Sequence, residues 1–103
     1  MRTTHAAFQK LVEKVIAEES AMLLRKADEY ASDWDRLSNF RLGAMFTGLS
    51  ARKTLWGYLA KHLSSVKEIV DGKVVTPEIL REKIGDSRNY LILLEALVLE
   101  GAE

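Results

Sequence analysis

Cysteine is absent from this chain of 103 residues. Disulfide frameworks and zinc–thiolate sites are excluded, and the usage suits a reducing compartment. Proline occurs once, at Pro77, and glycine six times, so long stretches contain nothing to interrupt a helix. Net charge is absent too: fifteen basic side chains balance fifteen acidic ones. With no global field and no block of Lys or Arg, direct binding of DNA or RNA is not expected. Apolar runs are short, Leu91–Leu94 being broken by Glu95, so no segment is expected to span a bilayer. The first residues show no charged stretch followed by an apolar one, so no signal peptide is expected. These absences point to a cytoplasmic protein with no membrane partner. They leave one domain over residues 1–103.

No segment alternates long enough for a sheet, and no internal repeat is visible. Helical spacing dominates instead. Phe8, Leu11, Val12, Val15, Met22, Leu23 and Tyr30 predict a first helix from about Thr4 to Tyr30, with Thr4 as its cap. Ser32–Asp33 can cap a shorter helix over Trp34 to about Phe46, anchored by Leu37, Phe40, Leu42 and Met45. Ser50 caps a third, whose stripe is Leu55, Leu59, Leu63, Val66 and Val70, with Gly72 as its stop. Thr76-Pro77-Glu78 combines a capping hydroxyl, proline at the first helical position and a carboxylate at the positive end of the dipole. That fourth helix is predicted to reach Glu100 and stop at Gly101. The fold class is therefore all-α: an antiparallel helical bundle of three long helices and one shorter one. Ile92, Leu93, Leu97, Val98 and Leu99 wrap most of the way round the fourth helix, more apolar surface than a monomer of four helices can cover. Completion as a homodimer or higher oligomer is expected.

Several polar residues fall where apolar ones belong. At 100° per residue, Glu19 and Lys26 lie inside the stripe of the first helix, about 10 Å apart. Each must pair with a charge on a neighbouring helix, reach solvent along its own stem, or meet a ligand. His62 falls in the Leu55/Leu59/Val66 stripe, either as a hydrogen-bonded core residue or as part of a site. Glu82, Asp86 and Asn89 share one face, opposite the ridge of Leu80, Ile84, Leu91 and Val98. That face continues into Leu93 and Ala96, so it starts wet and ends buried, as a cleft floor does. Gly85 beside Asp86 permits close approach of another helix or a ligand. Glu82 and Asp86, one turn apart, can form a hard-cation site when further oxygens come from another helix, and Glu18 or Glu19 can supply them. No phosphate-binding glycine loop and no Ser/His/Asp or Cys/His set is present.

The stretches KADEYASDW (26–34), NF (39–40), KHLSS (61–65) and EKIGDSRNYLILLEAL (82–97) resemble small phage and prophage proteins of the nucleotide-modification-associated type. The resemblance covers roughly residues 20–98 and implies a role in phage nucleotide metabolism. The late helix is also similar to that of MazG-like all-α nucleotide pyrophosphohydrolases, which hold magnesium through an E-x-x-E pair and an E-x-x-D pair. Asp86 matches the last position of that pattern. Lys83 stands where its glutamate belongs, and Glu18-Glu19 are followed by Ala21 and Met22 rather than a second glutamate. The resemblance therefore implies nucleotide binding and leaves open whether a reaction is catalysed. In that reading Glu19, Glu82 and Asp86 hold Mg²⁺, Lys26 meets phosphate, and Tyr30, Asn39, His62, Asn89 and Tyr90 complete the nucleotide site. The alternative is a non-enzymatic phage module that binds a protein partner or sequesters a small nucleotide. There Glu19, Lys26, His62 and Asp86 fix helix register, and Trp34 or Trp56 marks the docking face.

Overall fold

The computed structural model describes residues 2–30 and 36–103, with side chains for 2–25 and 36–103. The described residues form an all-α fold of four helices and no strand. These are α1 (His5–Tyr30), α2 (Ser38–Thr47), α3 (Ala51–Val70) and α4 (Pro77–Leu99). None of them is long and apolar enough to cross a membrane.

Three starts follow from local chemistry. Free first-turn amides need acceptors, and hydroxyls supply them. Thr4 Oγ1 accepts from the Ala7 N–H at 3.1 Å, Ser50 Oγ from Lys53 at 3.1 Å, and Thr76 Oγ1 from Ile79 at 3.2 Å. The last precedes Pro77, whose missing N–H costs nothing at the first position. Gly48 and Gly72 end α2 and α3 with φ of 73° and 108°, a region where a Cβ is strained. The start of α2 differs from the sequence expectation. Ser32, Asp33 and Trp34 lie outside the described residues, Arg36 and Leu37 form a turn, and the helix begins at Ser38. Leu37 is only 5% exposed, and its carbonyl accepts from the Phe40 N–H at 3.1 Å. An apolar anchor therefore sets this start, with no side-chain cap.

The short connections fold α3 back along α2 and α4 back along α3. Gly43 meets Thr54 and Phe40 meets Tyr58 across the first pair. Arg52 meets Ala102 and His62 meets Asp86 across the second. By contrast α1 runs in the same direction as α4: Val15 and Glu18 meet Arg81, Glu19 meets Arg88, and Met22 meets Asn89. The core sits where α2, α3 and α4 converge, formed by Leu37, Phe40, Ala51, Leu55 and Leu97, with Tyr90, Leu93 and Leu94 packed against it. α1 lies largely outside it. The radius of gyration is 15.7 Å, against about 13 Å for a compact domain of this size.

Projection of α4 explains what lies where. Arg81, Gly85 and Arg88 face α1, while Asp86, Tyr90, Leu93 and Leu97 face α3 and α2. Asn89 falls between the two groups and is buried. Leu80, Leu91 and Val98 point outward and are 39–50% exposed. The strip of Glu82, Asp86, Asn89, Leu93 and Ala96 is therefore covered from Asp86 to Leu93 but exposed at both ends, so it does not end buried, and the aliphatic ridge opposite it is exposed except at half-buried Ile84.

Candidate functional site

A cavity of about 530 Å³ opens where α2, α3 and α4 diverge, with Leu23 of α1 at its edge. Its polar lining is Arg36, Asn39, Asp86 and Asn89, together with the rings of Tyr58 and Tyr90. Phe40, Leu42, Phe46 and Leu93 supply much of its apolar wall. The volume is within the range of small-molecule sites, and so is the pattern of apolar walls with a few convergent polar groups.

The aromatic wall is ordered. Tyr58 and Tyr90 are nearly parallel, with ring centres 6.3 Å apart and 11° between planes. Phe40 stands edge-on to both, at 6.2 and 6.3 Å. The His62 ring lies 4.9 Å from Tyr90 on the adjoining turn of α3. Burial raises the Tyr90 phenol above its ordinary pKa of 10.0; the charge of Asp86 and the neighbouring Tyr58 add to this, and Arg36 opposes it. Tyr90 thus remains a neutral donor to high pH, within the field of both charged groups lining the cavity.

Two acceptors on the floor are not used up inside the protein. Asn89 is only 6% exposed, and its Oδ1 has no hydrogen-bond partner. Its Nδ2 makes one weak contact, donating to Met22 Sδ at 3.6 Å. Asp86 Oδ2 lies 3.8 Å from His62 Nδ1, an attraction beyond hydrogen-bond reach.

Asn39, Asp86, Asn89 and Tyr90 from the sequence expectation are therefore brought together, with His62 against two of them. The side chains of Lys26 and Tyr30 lie outside the described set. Glu19 and Glu82 do not line this cavity. Glu82 is exposed. Glu19 is buried over Gly85, its Oε1 being 3.3 Å from where a Cβ would stand there. It is ion-paired with Arg88, and Arg81 lies 3.8 Å from the same oxygen. Arg81 also donates to Glu18 at 2.8 Å and to the Val15 carbonyl at 3.1 Å.

A resident Mg²⁺ needs several oxygens free of competing cations. Glu19 carries two guanidiniums, Asp86 faces an imidazole, and Glu82 stands apart from both. No three His, Asp or Glu side chains gather as a metal site among the described residues. These residues do not fit a resident magnesium ion. Lys83, the departure from the E-x-x-D pattern, lines a second cavity of about 500 Å³ at the α3–α4 turn with Ile69, Val75 and Ile79.

The sequence reading did not single out Arg36 or Tyr58, nor Arg81 and Arg88 as partners of Glu19. Tyr58 carried a signal: it stands one turn before His62 in the stripe of α3. Arg36 carried none, since its placement follows from the turn that precedes α2. Comparisons with protein-family models, curated proteins and solved structures find no match for this chain.

Proposed function

We propose that this chain binds a nucleotide in the cavity between α2, α3 and α4. The observation that carries the reading is a cavity lining that joins the Asp86 carboxylate to the buried Asn89, whose Oδ1 has no hydrogen-bond partner. A buried acceptor without a donor costs about 1–3 kcal/mol. A ligand N–H removes that cost, and nucleobases offer such groups. Parallel Tyr58 and Tyr90 give a π-face for the base. Arg36 supplies a planar guanidinium suited to phosphate oxygens. The resemblance to phage nucleotide-modification-associated proteins points the same way, and so does the likeness of the late helix to MazG-like enzymes. Because the carboxylates do not fit a resident cation, the reading is binding, with no hydrolytic step assigned.

Calorimetry tests it. Nucleoside monophosphates should bind more tightly than the matching nucleosides, and Arg36→Ala should remove that difference. If no nucleotide gives heat at millimolar concentration while the protein melts cooperatively, the reading fails.

The reading includes a second copy of the chain. Phe8, Leu11 and Val12 continue the line by which α1 rests on α4, and they are 55%, 51% and 38% exposed. Contiguous apolar surface of this kind is uncommon on a monomer. A second functional reading, a protein-docking module, draws support from Trp56 on α3 and from Met45 and Phe46 on α2, which are 57%, 79% and 81% exposed. Trp56→Ala should abolish partner capture in that case and leave nucleotide titrations unchanged.

A further inference from the structure

The cavity floor has an uneven hydrogen-bond inventory. Asp86 presents two carboxylate oxygens, neither hydrogen-bonded within the described residues, since His62 lies 3.8 Å away. Asn89, one turn on, adds Oδ1, buried and unpartnered. Residues three apart on a helix have Cβ atoms about 5–6 Å apart. Asp86 and Asn89 both line the cavity together with Tyr58 and Tyr90, so its lining carries three acceptor oxygens without a hydrogen-bond donor among the described residues.

Each base presents a different edge to such a floor. Adenine and cytosine offer an exocyclic amine beside a bare ring nitrogen, whose lone pair would meet the carboxylate. Uracil and thymine offer one N–H flanked by two carbonyls, which would oppose it twice. Guanine offers the N1–H and both hydrogens of the N2 amine in succession, three donors against three acceptors. From this match we propose that the ligand is a guanine nucleotide. The N1–H and one N2 hydrogen are donated to the Asp86 carboxylate, and the other N2 hydrogen to Asn89 Oδ1. The base lies along the aromatic wall, and the phosphate meets Arg36. This assignment rests on the nucleotide-binding reading above and adds the base to it. A site built from unpaired acceptors rejects a ligand that lacks the matching donors, because its buried oxygens then stay unsatisfied.

The test is calorimetry of the full chain with GMP, IMP, XMP, AMP, CMP and UMP. GMP should bind most tightly. IMP, without the N2 amine, should lose about tenfold or more. Asp86→Asn turns one acceptor into a donor at constant shape. It should weaken GMP and strengthen XMP, whose C2 carbonyl replaces the amine, so that the order of the two reverses. Binding of AMP or UMP as tight as that of GMP, or an Asp86→Asn variant that keeps the GMP preference, overturns the guanine assignment and leaves nucleotide binding standing. Absence of heat for all six overturns both. The wild-type panel needs no variant to fold, and the XMP gain shows that Asp86→Asn has folded.

Discussion

Two glycines with the same backbone differ in what a methyl group would meet. A Cβ at Gly43 would lie 2.6 Å from Thr54 Cγ2. That methyl cannot turn aside freely, because the Thr54 hydroxyl donates to the Ser50 carbonyl at 2.9 Å. Gly43→Ala should therefore lower stability by about 1–3 kcal/mol through overpacking, despite the better helix propensity of alanine. A Cβ at Gly57 meets nothing within 4 Å, and Gly57→Ala should raise stability by about 0.5–1 kcal/mol. Urea denaturation of the two variants checks both signs. Tyr90 gives a pH prediction. Its phenol titrates higher in the folded protein than in the unfolded chain. Above pH 10 the unfolded chain therefore loses this proton first, so stability falls as pH rises until the folded group also ionises. In thermal melts between pH 9 and 11, Tyr90→Phe should lose part of that decline.

At the scale of elements, α1 is held by polar contacts more than by burial. Glu19 pairs with Arg88 and Arg81, and Arg81 also holds Glu18 and the Val15 carbonyl. Glu19 is 8% exposed, and its removal takes away the partner of Arg88, while Arg81 keeps Glu18 and the Val15 carbonyl. Glu19→Ala should cost about 1–3 kcal/mol. In a double-mutant cycle with Arg88→Ala, a coupling of at least about 0.5 kcal/mol is expected; additive losses would remove the pair from this role. Much of this was legible in the sequence. Thr4, Ser50 and Thr76 announce their helices through capping hydroxyls, and the 3.6-residue period places Glu19 on the packing stripe. Its partner was not legible, because Arg88 stands 69 residues away and periodicity says nothing about which helix neighbours which. The strip of Asp86 and Asn89 is legible as a strip, but the same spacing also includes Glu82, which is exposed near the start of α4. Arg36 and the start of α2 depend on the buried anchoring of Leu37, which no local signal marks.

At the scale of the molecule, the extents of 49 × 29 × 23 Å describe a compact body of α2, α3 and α4 with a long helix along one side. In the reading proposed above, a second copy covers the apolar residues of α1 on its free half. Phe8→Glu with Leu11→Glu should shift sedimentation from dimer to monomer while leaving helicity intact, since both side chains are already more than half exposed within one chain. The shared direction of α1 and α4 carries a further consequence. α3 and α4 meet after one tight turn, but α1 finds its place only when residues 15–22 reach residues 81–89 across the whole intervening chain. The buried core lies among α2, α3 and α4, and an element with few buried contacts opens first. Amide hydrogens of α1 should therefore exchange with deuterium soonest. The proposed docking of a second copy on α1 predicts that their protection deepens as protein concentration rises while that of α3 and α4 stays constant, so that one helix would report assembly on a molecule whose core does not register it.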